Sequence, residues 1–258
     1  MDLVKSTDSR YEEYEKLLLE RDQLSKEAEQ IWTLYLQIFG KLIVEIYEEK
    51  LECIKCKKTI AYYQQALNHG GLIDSAAMEK YMEQEMAEYY TNLRRMISEK
   101  DSADHAGKST PYEAERSKTL YRRLAKLIHP DLNPETDRSE TLQELWLRIT
   151  IAYHMNDVKE LAELEVLVRK ALKDLGTEAG QIEIPDIEDK IVDLRKEIED
   201  IQSTEPYVLR YLLDDEEAAE KKKAELTEEL ESYQKYRKEL NEVIRQMLQS
   251  GGLRIYVQ

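Results

Sequence analysis

His129-Pro130-Asp131 sets an imidazole and a carboxylate on either side of a residue that fixes the backbone. Three kinds of chemistry fit such a tripeptide. It could supply an acid and a base for hydrolysis. It could end a helix and build a turn, since His suits the negative helix end and Asp suits turns. It could also hold out a rigid carboxylate to a cationic partner, which lowers the entropic cost of docking. Just upstream, Arg116, Lys118, Arg122, Arg123 and Lys126 place five positive charges within about three helical turns, with no acidic residue among them. On a chain of formal net charge -16 this is a local reversal of field, able to steer an acidic partner surface. The plainer reading of such a run is a solvated helix face.

The other reactive residues carry less. Cys53-Ile-Lys-Cys56 has the spacing of half a zinc or redox site, but no second pair accompanies it and both thiols fall on an apolar seam, so they read as buried structural cysteines. His69 and His105 read as loop residues, and His154 as a surface or interhelical contact. The chain has no Gly-rich phosphate loop, no Gly-x-Ser-x-Gly elbow and no His-Glu-x-x-His helix, and Asp214-Asp-Glu-Glu217 reads as a solvated helix start. The paired tyrosines at positions 62, 63, 89 and 90 lack interleaved basic residues and are assigned to packing rather than base stacking.

Helices must position these groups. The 258 residues include only eight Gly and five Pro, with 36% charged, which points to long helices rather than a thick core. Ser6, Thr7, Asp8 or Ser9 caps a helix whose seam runs through Leu24, Ala28, Ile31, Tyr35, Ile38 and Leu42, slips near Gly40, and resumes with Cys53, Cys56, Ile60, Tyr63 and Leu67. After Asn68-His-Gly-Gly71, a second helix is marked by Met78, Met82, Met86, Tyr89, Leu93 and Met96, returning antiparallel. Polar residues from Ser98 to Pro111 have a linker composition. Pro111 opens a helix that runs to Ile128, and Ser139 opens another through Leu142, Leu145, Trp146, Ile149 and Tyr153. A further helix runs from about Val158 to Gly176, nearly continuous with the one before it.

Heptads at Ile187, Ile191, Leu194, Ile198 and Ile201, and at Leu226, Leu230, Tyr233, Leu240, Ile244 and Met247, indicate a second hairpin, with Arg237 on the seam. The expected architecture is all-α and elongated. It comprises an N-terminal helical hairpin over residues 1–100, a linker over 101–110, a central module and following helix over 111–176, an antiparallel coiled-coil hairpin over 182–250 and a tail over 251–258.

Net charge argues against non-specific binding to nucleic acid or an anionic membrane. Apolar stretches such as Leu42-Ile-Val44 are far shorter than a membrane span, no signal pattern opens the chain, and two cysteines make no disulfide framework, so a cytoplasmic location is expected.

The central module resembles the J domain of DnaJ-like co-chaperones. The resemblance rests on Tyr121-Arg-Arg-Leu-Ala125, His129-Pro-Asp131, Asn133-Pro134 and Ala152-Tyr153, about 45 residues in all. It implies that the basic helix and the tripeptide dock on a DnaK-type heat-shock chaperone and stimulate its ATP hydrolysis. The partner-binding residues would be Arg116, Lys118, Tyr121, Arg122, Arg123, Lys126, His129, Pro130 and Asp131, with Asp131 meeting a cationic group of the chaperone. Leu120, Leu124, Leu127 and Ile128 would form the buried stripe, facing Trp146, Ile149 and Tyr153. Tyr121 would sit at its edge.

Two departures stand out. No Asp-Tyr-Tyr-x-x-Leu-Gly first helix lies immediately upstream, so either residues 84–97 replace it or it is lost, and no Gly/Phe-rich linker or zinc-binding repeat set follows. The rival expectation is a coiled-coil scaffold with an uncoupled J-like segment, the hairpins serving a client or self-association. No catalytic residue, metal or cofactor is expected. A cleft around Asp131 lined by convergent polar groups would reopen the hydrolytic reading.

Overall fold

The computed structural model describes residues 9–107, 109–175 and 186–256. The candidate caps Ser6, Thr7 and Asp8, the expected helix end at Gly176, the expected hairpin start at residue 182 and the last two residues of the tail lie outside them. The architecture is all-α: among the described residues there are nine α-helices and two strands of three residues each. None of these helices is long and apolar enough to cross a membrane.

The first helix, α1 (Ser9–Asn68), is 60 residues long and passes through Gly40 without a break. Gly40 serves close approach rather than a bend, because a Cβ there would lie 3.0 Å from Lys100 Cγ. The chain forms two compact units, and α1 contributes to both, changing unit after Gln30.

The unit built from Ile31–Ala106 and Leu209–Gln258 is a helical bundle. Opposite α1 lies α2 (Ser75–His105), whose N-terminus Asp74 caps by accepting from the amides of Ala76 and Ala77. Contacts from Gln37 to the Ala103 carbonyl and from Lys58 to Glu85 set the two helices antiparallel, as the sequence predicts. Polar composition does not stop α2 at Ser98. It stays helical to His105, whose Nδ1 contacts the Asp101 carbonyl at 2.7 Å, so His105 is a helix residue rather than a loop residue.

Leu209 begins this unit's return segment, which includes the one-turn α8 (Tyr211–Asp214) and then α9 (Glu216–Gln249), capped by Asp215. Here α9 runs alongside α1, with Leu240 against Cys53 and Cys56, and Ile244 and Met247 against Tyr63 and Ala66. Arg237, half-buried on α9, pairs with Glu49 of α1 at 3.1 Å. Sequence patterning did not reveal that β1 (Leu72–Asp74) and β2 (Arg254–Tyr256) form a parallel pair, Leu72 opposite Arg254. The approach requires glycine at position 71, where φ is +77° and a Cβ would fall 1.8 Å from the Gly252 carbonyl oxygen.

The other unit combines Met1–Gln30 with Gly107–Val208, as far as those residues are described. It holds α3 (Pro111–Ile128), α4 (Pro134–Arg138), α5 (Glu140–His154), α6 (Val158–Asp174) and α7 (Ile187–Ser203). A capping box of Thr110 and Glu113, with Pro111 in the first turn, starts α3. Ser139 caps α5 and Asp157 caps α6. These last two helices are not nearly continuous as expected: Asn156, at φ +54°, turns the chain between them, so they fold back on each other, tied by Arg148 to Glu160 at 2.6 Å. The core places Leu120, Leu124 and Ile128 against Leu142, Leu145, Ile149 and Tyr153, closed by Leu161, Leu164 and Val168 of α6.

Within its own unit the heptad face of α7 is covered by α1. Ile187, Ile191 and Leu194 pack on Tyr11, Tyr14 and Leu18 of α1. A heptad specifies that a face is apolar, and a long α1 with apolar residues along its whole length supplies a cover for both α7 and α9.

Candidate functional site

The turn after α3 is made from the helix end itself. His129 is the C-cap, and its carbonyl accepts from the amides of Leu132 at 2.9 Å and Asn133 at 2.7 Å. The orphan carbonyls of the last helical turn are met from beyond the loop. Asn133 Nδ2 donates to the Leu127 carbonyl at 2.8 Å, and the buried Thr136 hydroxyl donates to that of Ile128 at 3.0 Å. The Asp131 amide donates to His129 Nδ1 at 3.0 Å, so the proton of the neutral ring sits on Nε2. The His129 ring is buried and stands edge-on to Trp146, with centroids 4.6 Å apart. The Asp131 carboxylate projects from this braced turn at 46% exposure.

The first 22 described residues of α1 complete the site. Asp22 receives the Tyr121 hydroxyl at 2.7 Å and Arg21 Nη2 at 2.7 Å, while His129 Nε2 lies 3.5 Å from its Oδ2. Burial alone would raise the Asp22 pKa, but the contacts with His129, Arg21 and Tyr121 outweigh it and hold it below the ordinary carboxylate range. Burial, reinforced by Asp22, drives the Tyr121 hydroxyl far above its usual value. Arg21 also reaches Asp131 at 3.9 Å and Glu197 of α7 at 3.4 Å. Glu15 pairs with Lys126 at 2.6 Å. Leu132, next to the tripeptide, is fully buried among Tyr14, Leu18 and the α7 isoleucines.

A cleft of about 290 Å³ opens here, lined by Arg21, Asp22, Ser25, Tyr121, the tripeptide, Trp146, Thr150, Tyr153 and His154. His154 contacts Glu29 of α1, the interhelical role anticipated for it. On the far side of Tyr121, the Tyr153 ring stacks on it at 3.9 Å, and Lys26 Nζ sits 3.6 Å over Tyr153. Lys26 also donates to Asn156 Oδ1 at 2.6 Å. Burial lowers the Lys26 pKa to about 8, with Lys118 adding to the effect.

Comparison with protein-family models, curated proteins and solved structures finds no match to this chain.

The sequence-derived residues are brought together unevenly. Tyr121 is buried by Asp22 and Tyr153 rather than lying at the edge of the stripe. Arg116 and Arg122 are exposed on α3, and Lys118 is half-buried toward Lys26. Arg123 pairs with Glu165 of α6 at 3.2 Å and Lys126 with Glu15, so the basic run is partly neutralised within the chain. Leu127 and Trp146 pack at the rim of the core as half-buried residues. Residues 84–97 belong to the other unit. The side chains lying on α3 from outside the module come from residues 15–26 of α1, which the sequence reading did not connect with it. Their signal was a charge in an apolar register: the Tyr11, Tyr14, Leu18 spacing continues onto Arg21 and Asp22.

Both cysteines are buried against α9, with Cys53 Sγ 3.4 Å from the Tyr233 carbonyl and Cys56 Sγ 3.6 Å from Asn241 Oδ1. Burial raises both thiol pKa values, away from the thiolate that metal binding or redox chemistry requires. Among the described residues no group of three or more His, Cys, Asp or Glu is arranged to hold a metal ion.

Proposed function

We propose that residues 111–175 are a J-like docking module, using α3 and the His129-Pro130-Asp131 turn to engage a DnaK-type heat-shock chaperone and stimulate its ATP hydrolysis. The observation that carries this reading is the bracing of the turn. His129, Asn133 and Thr136 fix the loop while Asp131 keeps a half-exposed carboxylate at its tip, on the same helical pair that exposes Arg116 and Arg122. A carboxylate held this way is suited to a cation on a partner, since little freedom is lost on docking.

The cleft beside Asp131 meets the condition set for hydrolysis, but its polar groups are spent on one another. His129 has Nδ1 occupied by the Asp131 amide and Nε2 facing Asp22, whose oxygens are taken by Arg21 and Tyr121. A general base needs a ring nitrogen turned toward a reacting proton, so hydrolysis is not proposed.

Steady-state ATPase assays with a DnaK-type chaperone test the docking reading. The intact protein is expected to stimulate turnover, and His129→Gln and Asp131→Asn to reduce that stimulation at least tenfold while remaining folded. No stimulation by folded protein, or equal stimulation by all three, would reject it. The second reading, a scaffold whose J-like segment is uncoupled, is favoured by the burial of Leu132 and His129 under α1 and α7.

A further inference from the structure

We propose that residues 15–22 of α1 are an intrachain clasp on the docking surface, so that α1 and the chaperone compete for the same groups of α3 and the turn. This rests on the docking reading above. Four of the nine residues assigned to the partner are held by this stretch. Lys126 is held by Glu15, Tyr121 by Asp22, His129 faces Asp22, and Asp131 faces Arg21. The signs alternate to match: anions lie on the basic and donor groups, and a cation lies on the one projecting carboxylate.

The contacts differ in strength in a way that suits exchange. Lys126 is 53% exposed and Asp131 46%, so their ion pairs with Glu15 and Arg21 are screened by solvent and contribute little each. Asp22 is 13% exposed and receives its donors at short distance, which gives the clasp its specificity. Within residues 15–22 the apolar and charged side chains do different work: Leu18 packs with Leu132 and the α7 isoleucines and Leu19 enters the core of α3, α5 and α6, while Glu15 and Asp22 turn their charges to Lys126, Tyr121 and His129, and Arg21 reaches Asp131 at 3.9 Å. A surface engaged in this way binds its partner with an affinity reduced by the fraction of molecules in which it is open.

The test compares the wild-type chain with a Glu15→Lys, Arg21→Glu double variant, measuring binding to an ATP-loaded DnaK-type chaperone by titration together with ATPase stimulation. Neither position belongs to the assigned partner-binding set. Because the reversals turn attraction into repulsion and remove the Arg21 donor from Asp22, they are expected to tighten binding at least tenfold and to lower the concentration for half-maximal stimulation in parallel. Adding Asp131→Asn to the double variant is expected to abolish both. Unchanged or weaker binding by a folded double variant overturns the clasp and leaves docking standing. No binding by either protein, with helicity and amide protection of α3 intact, overturns the docking reading and the clasp with it. If the double variant loses its helicity, the Glu15→Gln, Asp22→Asn pair is scored by the same criteria.

Discussion

Along residues 9–30, α1 meets its neighbours with Tyr14, Leu18, Arg21, Asp22 and Lys26; along residues 31–68 it meets them with Phe39, Cys53, Cys56, Tyr63 and Ala66. One continuous helix thus makes two kinds of interface. In the second stretch, apolar side chains and protonated thiols cover α9, and the gain comes from area removed from water. In the first, a buried carboxylate collects donors from Arg21 and Tyr121 and faces His129, so the energy depends on each donor being present. The difference teaches where specificity resides. An apolar seam accepts any complementary helix, whereas the Asp22 network accepts only a surface that offers matching donors.

The strongest way to break the apolar half is Phe39→Ala. Phe39 is fully buried and packs on the Tyr35 ring with centroids 4.9 Å apart. Truncation leaves a cavity and should lower the unfolding free energy by about 3–5 kcal/mol. Urea titrations at pH 7 and pH 5 should give the same loss, since no charge is involved.

Asp22→Asn attacks the polar half with a smaller and pH-dependent effect, about 1–3 kcal/mol at pH 7. The sign follows from the lowered pKa of Asp22 in the folded state. Its stabilisation is fully present above the unfolded carboxylate value near 3.9 and is lost as the pH falls through the folded value. Wild type and variant should therefore differ at pH 7 and converge on acidification. A difference that stays constant down to pH 2 would mean that the Asp22 charge does no work in the network.

Much of the central module was legible because its signals are local. Leu120, Leu124, Ile149 and Tyr153 recur at helical spacing, and a short loop between two such helices leaves them only an antiparallel return. Pro111 and Ser139 announced their helix starts for the same reason. The rest is long-range. Tyr121 and Asp22 are 99 positions apart, and no periodicity pairs a tyrosine with a particular aspartate. Ile187, Ile191 and Leu194 declared an apolar face but not that Tyr11, Tyr14 and Leu18 would cover it. The strands β1 and β2 are three residues each, too short to carry an alternation.

Lys26 gives the smallest expected effect and the sharpest comparison, because it is a buried charge on the polar half without a carboxylate partner in its hydrogen bond to Asn156. Lys26→Met keeps most of the aliphatic stem and removes the ammonium. At pH 7 the two changes oppose each other: relief of a buried charge against loss of the bond to Asn156 and the contact over the Tyr153 ring. A net shift within about 1 kcal/mol follows. The pH slope separates the terms. With a folded pKa of about 8 against an ordinary 10.5, the unfolded chain binds more protons between those values. The wild type should therefore gain stability as the pH rises through that window, and Lys26→Met should lack the gain. Tyr14 and Tyr153, both pushed up to about 12 chiefly by burial, pull the other way above the ordinary tyrosine value of 10.0. Because Tyr153 lies under the ammonium itself, Lys26 is isolated in the part of the window below pH 10, where neither tyrosine pulls. A flat difference from pH 7.5 to pH 10 would place the ammonium in water rather than over Tyr153.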